Sequence, residues 1–263
     1  MERVGNSFLT DLCIVTPVND DAVLAANLLR SPAVAAGLPV KQMRGFRSAA
    51  IAYNAALDEI SAEIVVFCHQ DVYLPRSWLT KLEQAIRAVE KIDKNWAVLG
   101  LYGVKPDGAH VGNVWCSDAN KVLNPPANMP AAVQSIDELL FVLRRSSGIR
   151  FDEKLPGFHL YGTDVVQTAL AAGLGAYVVD APVIHNTAGL STLRGAYVRA
   201  FRYVARKWRN KLPIVTPCAP VTRYGLWLAR VELSHFKNRL IHGVPPVVAR
   251  PDAVELARRL GYE

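Results

Sequence analysis

The chain has 263 residues, of which 51% are hydrophobic and 20% charged, and this composition supports one large α/β domain with or without an appendage and excludes a disordered chain. No apolar run reaches the roughly 18 residues of a membrane-spanning helix, and the N-terminus lacks the basic and apolar regions of a signal peptide. The four cysteines are widely spaced, which favours reduced thiols in the cytosol over a zinc ribbon or a disulfide framework.

The net charge of +7 is concentrated in the C-terminal tail. From Ser191 onward there are 14 basic and 4 acidic side chains, whereas the rest of the chain has 16 and 19. Such a tail can contact anionic lipid, phosphate-bearing substrates or nucleic acid. It can also be the solvated face of a helix.

The first hundred residues alternate between apolar runs and helical patterns. We predict strands over 12–17, 39–43, 64–68 and 96–104, and helices over 22–29, 48–61 and from 75 or 77 through 86. This order predicts an α/β fold with a mainly parallel sheet flanked by helices. Neither a G-x-G-x-x-G nor a G-x-x-x-x-G-K-[ST] motif occurs, which disfavours a dinucleotide-binding domain and a P-loop ATPase.

The second half is less regular. Residues 108–132 are rich in Gly, Asn and Pro and are expected to form a long loop. A strand over 136–145, a helix over 165–172 begun by Thr163 or Asp164, and strands over 177–179 and 183–184 follow. The alternating pattern ends near Gly189, which predicts a first domain over 1–189 and a basic helical extension over 190–263.

Polar side chains follow the apolar runs at three points: His69-Gln70-Asp71, Asp164 and His185. His69 and Asp71 are two residues apart, so on an extended backbone they point to the same side. Open α/β sheets bind ligands at the carboxyl ends of their strands. We therefore expect the imidazole and the carboxylate to hold a divalent metal or a metal-bound substrate, and the alternative is a loop with a surface Asp and a packed His.

An ordered set of these pieces resembles the inverting glycosyltransferases of family 2, which have the GT-A fold. The resemblance covers about residues 10–190 and is greatest to bacterial glycosyltransferase-like members whose metal motif begins with His. The matching pieces are Ile14-Val15-Thr16-Pro17, the helix with Asn54, 63–71, Trp78, Asp137, Phe151-Asp152-Glu153, Tyr161-Gly162-Thr163-Asp164, Gly173 and His185.

The resemblance implies a nucleotide-diphosphate sugar as donor, a carbohydrate or lipid-linked acceptor, and Mn²⁺ or Mg²⁺ as cofactor. Asp71 matches the last Asp of the D-x-D motif, His69 replaces its first Asp, and His185 matches a late His that completes the metal shell in some relatives. Asp164 matches the catalytic base. The implied donor-binding residues are Thr16, Pro17, Asn19, Asn54, His69, Gln70 and Asp71, and the expected acceptor-binding residues are Asp137, Glu138, His159 and Tyr161.

Each assignment has a structural alternative. Asp164 can cap its helix, His185 can be a hydrogen-bonded structural His, and Asp137 with Glu138 can form an exposed strand start. The sequence departs from the family in Thr163, which replaces an acidic partner, and in 41–44, which offers no Asp for the donor base.

The tail places apolar residues at spacings of three and four, with arginines and lysines on the other faces. The apolar positions are Tyr197, Phe201, Val204, Trp208 and Leu212. Such a helix packs on the first domain or on a partner subunit, or lies in a membrane interface near lipid-linked acceptors. Together with the cysteine usage, the resemblance implies a cytoplasmic glycosyltransferase, which is peripheral to the membrane in the last case. The alternatives are a catalytically degenerate module that binds carbohydrate or a partner and, with less support, a nucleic-acid-associated protein.

Overall fold

The computed structural model describes residues 11–117, 119–123, 128–187, 195–226, 228–230, 233–234, 237 and 250–263. The described helices, apart from short 3-10 turns, are α1 (Asp21–Ala26), α2 (Pro32–Ala35), α3 (Ala49–Glu59), α4 (Trp78–Ile92), α5 (Tyr161–Ala171), α6 (Ala196–Lys207) and α7 (Ala253–Arg259). The described strands are β1 (Leu12–Pro17), β2 (Val40–Met43), β3 (Ile64–Cys68), β4 (Val72–Tyr73), β5 (Trp96–Gly100), β6 (Tyr102–Val104), β7 (His110–Gly112), β8 (Val114–Cys116), β9 (Lys121–Leu123), β10 (Ala131–Ala132), β11 (Ser135–Ile136), β12 (Leu140–Arg144), β13 (Gly175–Val178) and β14 (Val183–His185).

The largest sheet has seven strands in the order β10-β13-β5-β12-β3-β1-β2. Five of them run in one direction, and β10 and β12 run against their neighbours. Helices α3, α5 and α6 cover one face, and α1 and α4 cover the other. The predicted α/β class with a mostly parallel sheet between helices is confirmed.

Two predicted strands are each divided in two. The run 96–104 leaves the large sheet after Gly100, where a Cβ would lie 2.6 Å from the side chain of Ile136, and continues as β6 beside β7 and β11. The run 136–145 is interrupted because the carboxylate of Asp137 accepts the backbone N–H of Leu139 and turns the chain between β11 and β12.

Other predicted bounds shift for local reasons. The helix expected over 22–29 ends at Ala26, where the Asn27 amide donates to the carbonyl of Val23 and a 3-10 turn follows. The region expected to be a loop over 108–132 contains β7, β8, β9 and β10. β7 pairs with β6, β8 pairs with β9 and β14, and β10 pairs with β13 at the edge of the large sheet. Helix α5 begins at Tyr161, so Asp164 lies in its first turn and is not its cap.

Helix α6 packs its apolar side into the same core as the sheet. Tyr197, Phe201 and Val204 are buried beside residues of α3 and α5, and burying each such side chain contributes about 1.5–3 kcal/mol. The packed alternative for the tail is therefore confirmed for α6, and this apolar face is not available to a membrane. The boundary predicted at Gly189 lies outside the described residues. No helix among those described is both long and apolar enough to cross a lipid bilayer.

Candidate metal-binding site

Three predicted ligands meet at the end of β3. Ligand atoms of His69, Asp71 and His185 lie within 4.8 Å of one another. The turn after β3 is fixed by the backbone N–H of His69, which donates to Leu139, and β14 is held against it because the N–H of Asn186 donates to the carbonyl of Asp71 at 2.8 Å. The pairing of β14 with β4 thus brings the late His beside the His-x-Asp that follows β3, as the resemblance implied.

The two histidines of this cluster differ in protonation, and a bound metal ion must displace a proton from His185. Burial lowers the pKa of His69, only partly opposed by the Asp71 carboxylate, which leaves a neutral imidazole at neutral pH. Burial also disfavours the charged form of His185, but its contact with Asp71, at 3.4 Å, and the nearby Cys116 outweigh burial and raise its pKa to about 10. Burial opposes ionisation of Asp71 as well, yet the two histidines and Arg250 hold its pKa below the ordinary value. Without a metal, a proton on His185 compensates the carboxylate.

The three residues fit a divalent metal ion. They supply two imidazole nitrogens and one carboxylate oxygen, and the side chains of Asp71 and His185 are 15% and 19% exposed, so solvent and ligand reach them. Nδ1 of His185 faces the sulfur of Cys116 at 4.0 Å, and Nε2 faces Asp71. Two imidazoles and a carboxylate around one point match the ligands of Mn²⁺, Fe²⁺ or Zn²⁺ better than the all-oxygen shell of Mg²⁺.

A cavity of about 500 Å³ opens beside the cluster. Its lining residues are Pro17, Val18, Asn19, Met43, Gly45, Phe46, Ala52, His69, Gln70, Asp71 and Phe158. Oε1 of Gln70 accepts the backbone N–H groups of Asn19 and Asp20 at 3.1 and 3.2 Å, which ties the loop after β1 to the loop after β3. Predicted donor-binding residues that follow the neighbouring parallel strands β1 and β3 therefore line one cavity.

Two predicted donor-binding residues lie outside that lining. Thr16 is fully buried in β1, and its hydroxyl has no hydrogen-bond partner among the described residues. Asn54 is buried in α3, where its amide donates to the carbonyl of Phe151 and to Glu153 and accepts the N–H of Phe151. Asn54 thus joins α3 to 151–153, a structural contact, and its predicted role in donor binding stays a prediction.

The predicted acceptor residues surround His69 on its other side. The hydroxyl of Tyr161 lies 3.0 Å from Nε2 of His69 and donates to the carbonyl of Glu138. The Glu138 carboxylate accepts the N–H of Gly162 at 3.2 Å. Burial and the charge of Asp137 raise the pKa of Glu138 to about 8, so this acid is largely neutral at pH 7 and can donate a hydrogen bond.

Asp164 is buried beneath the end of α6. Its carboxylate accepts Nζ of Lys207 at 2.8 Å and Nε1 of Trp208 at 2.7 Å, and its side chain is only 3% exposed. Burial raises the pKa of Asp164 against the opposing charge of Lys207. Nζ of Lys207 also lies 2.8 Å from Asp152. Asp152 and Asp164 are therefore both tied to the end of α6 by one lysine.

Sequence reasoning missed three residues of the site. Lys207 was assigned to a charged helix face, Trp208 to an apolar one, and Arg250 to the basic tail in general. Arg250 donates to the carbonyl of Asn186 at 2.9 Å, and its guanidinium lies 3.9 Å from Asp71. The only available signal was the excess of basic residues in the tail, which does not indicate which of them reach the sheet.

Comparison with known proteins gives distant matches. No family model matches the chain. The chain is 29% identical over 170 residues to "ATP synthase subunits region ORF 6" of Fuscovulum blasticum, a match that covers 61% of this chain and 66% of that protein, just under two thirds of its length.

Solved structures with a similar chain path include glycosyltransferases. GalNAc-T7 with UDP, GalNAc and Mn²⁺ matches with a TM-score of 0.49 and 13% identity over 77% of this chain, which spans 51% of that one. The mannosyltransferase PcManGT of Pyrobaculum calidifontis with GDP-Man and Mn²⁺ matches with a TM-score of 0.47 and 13% identity, over 95% of this chain and 79% of that one. S. aureus TarS 1–349 matches with a TM-score of 0.48 and 13% identity, over 75% and 65%. At such identity the likeness concerns the path of the chain only.

Proposed function

We propose that the protein is a metal-dependent glycosyltransferase of the GT-A type, similar to the inverting enzymes of family 2. The observation that carries the proposal is the meeting of His69, Asp71 and His185 at the carboxyl end of β3, beside a cavity of about 500 Å³. A nucleotide-diphosphate sugar needs such a site because its leaving diphosphate must be neutralised. We favour Mn²⁺ over Mg²⁺ since two of the three ligands are imidazoles.

The donor occupies the cavity in this proposal. Pro17, Asn19 and Gln70 form the wall that faces the nucleoside, and the metal site marks the diphosphate end. Arg250 supplies a second positive charge there, because its guanidinium faces the same carboxylate that binds the metal. When bound, the metal ion supplies electrostatic stabilisation of the departing nucleoside diphosphate.

The acceptor hydroxyl attacks the anomeric carbon as the bond from that carbon to the diphosphate oxygen breaks. Asp164 takes the proton from the hydroxyl, and Glu138, Asp137, His159 and Tyr161 orient the acceptor. Both oxygens of Asp164 accept N–H groups in the described conformation. Catalysis through Asp164 therefore requires that the contact with Lys207 or with Trp208 opens when the acceptor binds.

The finer features of this function belong to the same proposal. The acceptor is a glycan, a lipid-linked sugar or a cell-surface polysaccharide, and the reaction inverts the anomeric centre. The enzyme acts in the cytoplasm, in peripheral contact with the membrane, and assembly into oligomers is compatible with it. Nucleic acid is not a partner in this scheme, since no aromatic-basic recognition motif occurs in the sequence.

The test combines donor binding with transfer. Thermal shift with UDP, GDP, CDP and dTDP, each with and without Mn²⁺, is expected to reveal one nucleotide that stabilises the protein only with metal, since ligands of the folded state raise its stability. The corresponding sugar nucleotides are then assayed for hydrolysis or transfer. Asp71→Asn should remove the metal-dependent shift.

Asp58→Asn is the matched control. Asp58 lies on α3, is exposed, forms an ion pair with Arg150 and does not line the cavity. Asp164→Asn should abolish transfer while nucleotide binding persists, and undiminished turnover would exclude Asp164 as the base. A protein that binds no nucleoside diphosphate with Mn²⁺ would contradict the proposal as a whole.

The second candidate is a catalytically degenerate module that binds carbohydrate or a partner. The observation that favours it is the buried ion pair of Asp164 with Lys207, which occupies the proposed base. It predicts metal-dependent nucleotide or sugar binding with neither hydrolysis nor transfer from any donor. Single-turnover assays with the full donor panel separate it from the enzyme.

A further inference from the structure

A second, larger depression lies on the outer side of α6. Its volume is about 1220 Å³, and its described walls are α6, Lys154 and Pro156, and residues 223–225 and 228–229. Six cationic side chains line it, Lys154, Arg199, Arg202, Arg206, Arg209 and Arg223. We refer to it below as the basic groove.

Within the part of the chain that the structure describes, no acidic side chain neutralises the cations of the basic groove. All six are exposed, and none of them forms an ion pair with any described residue. No Asp or Glu occurs among the described lining residues. Asp152, which Tyr203 of the groove contacts, is already held by that hydroxyl at 2.7 Å and by Lys207. Unpaired arginines at this density repel one another, so the groove is suited to a ligand that brings several negative charges.

The flank of the groove is apolar and exposed. Tyr224, which lines it, is 76% exposed, and Leu226 and Leu233 farther along the chain are 70% and 54% exposed. A soluble polyanion has nothing to place against these side chains. A bilayer that contains acidic phospholipids presents phosphates and, just below them, acyl chains, and so matches both halves of the surface.

We propose that the basic groove and its apolar flank dock the protein on anionic phospholipid bilayers through the headgroup phosphates. This inference rests on the proposed function for its purpose, because it names the surface that brings the enzyme to lipid-linked acceptors. Pro156 of the groove is two residues from Phe158, which lines the cavity beside the metal site and is 40% exposed. Docking at the groove thus holds the cavity close to the bilayer surface.

Vesicle flotation of the full chain, without donor or metal, tests the docking. We expect binding to phosphatidylcholine vesicles that contain about a third phosphatidylglycerol, and weak binding to pure phosphatidylcholine. Binding to the anionic vesicles should be lost as the salt concentration rises, because the Debye length becomes shorter. Arg202→Gln/Arg206→Gln should lower the partition coefficient on the order of 10- to 30-fold, from about 1 kcal/mol for each arginine near the surface. Leu226→Ser should lower it as well, at every salt concentration.

The control variant is Lys91→Gln/Lys94→Gln, which removes two exposed charges near the end of α4 and should leave vesicle binding unchanged. Equal losses in both double variants would overturn the proposal, since they would show an effect of net charge alone. It is likewise overturned if the protein ignores anionic vesicles but binds polyphosphate or RNA with the same arginines. Vesicle binding by a protein that transfers no sugar would refute the proposed function and leave the docking inference intact. Sugar transfer by a protein that does not bind vesicles would refute the docking inference and leave the proposed function intact.

Discussion

The ion pair that joins α6 to the proposed base gives the strongest prediction of stability. Lys207→Met keeps most of the apolar stem and removes the cation that contacts Asp164 and Asp152, each at 2.8 Å. Removing one partner of a buried pair costs about 3–5 kcal/mol. We expect about 3 kcal/mol here, because Trp208 still donates to Asp164 and Tyr203 still donates to Asp152. In a chain of this size that loss lowers Tm by about 6–12 °C.

The loss should depend on pH in a defined direction. Burial raises the pKa of Asp164, and Lys207 opposes that shift, so the variant's Asp164 has a still higher pKa. An acid whose pKa is raised on folding binds more protons in the folded state, and its contribution to stability falls as pH rises toward the folded pKa. The difference in stability between variant and wild type is therefore expected to be larger at pH 8 than at pH 5.5.

Urea unfolding at pH 5.5 and pH 8 of Lys207→Met, Asp164→Asn and the double variant measures this effect. The double variant should lose 1–3 kcal/mol less than the sum of the single losses, as expected for side chains in direct contact. Lys91→Met, at an exposed position of α4, is the matched control and should change stability by less than about 0.5 kcal/mol. Additive losses within about 0.5 kcal/mol, or a loss that is the same at both pH values, would refute the buried ion pair.

Three further predictions concern the site. Asp71→Asn should raise the Kd for Mn²⁺ at least about tenfold, or about 1.4 kcal/mol, by calorimetry, and an unchanged Kd would exclude Asp71 as a ligand. Arg250→Gln should weaken nucleoside diphosphate binding about tenfold at saturating Mn²⁺ and leave binding of the bare nucleoside unchanged, since only the charged contact is lost. Equal losses of affinity for both ligands would contradict a contact between Arg250 and the diphosphate. Burial and Asp137 raise the pKa of Glu138 to about 8, so wild type should lose stability relative to Glu138→Gln from pH 5 to pH 8, by up to about 1.4 kcal/mol per pH unit, and parallel pH profiles would contradict this.

The sequence predicted the elements whose signal is local. The runs that became β1 and β3 are apolar and end abruptly in polar residues, and Ser48 caps α3 through a hydrogen bond to the N–H of Ile51. The division of 96–104 into β5 and β6 was not predictable from the same evidence. An apolar run does not reveal that Gly100 lies against Ile136, a contact between segments 36 residues apart in the chain.

The same distinction applies to the site. His69 and Asp71 were predicted to share a site because they follow an apolar strand and are two residues apart. His185 was added from the family resemblance, and it lies at the end of β14 in the four-stranded sheet. Asn54 matched the family pattern, but here it bonds the backbone of Phe151. The alternative reading of Asp164 as a helix cap was wrong, because its carboxylate accepts side-chain N–H groups from α6.

The contacts that sequence reasoning missed all come from the basic tail, and they reach both the candidate metal site and the proposed base. Arg250 faces Asp71 at the metal site, and Lys207 with Trp208 holds Asp164. Under the proposed function and the docking proposal, the basic residues of the tail serve three sites, which are the diphosphate end of the cavity, the proposed base and the basic groove. Because α6 carries the Asp164 contacts on one side and groove arginines on the other, a ligand in the groove and an acceptor at Asp164 act on the same helix. Groove variants should therefore be assayed for transfer with a soluble acceptor as well as for vesicle binding, since a change in kcat with the soluble acceptor would reveal coupling through α6.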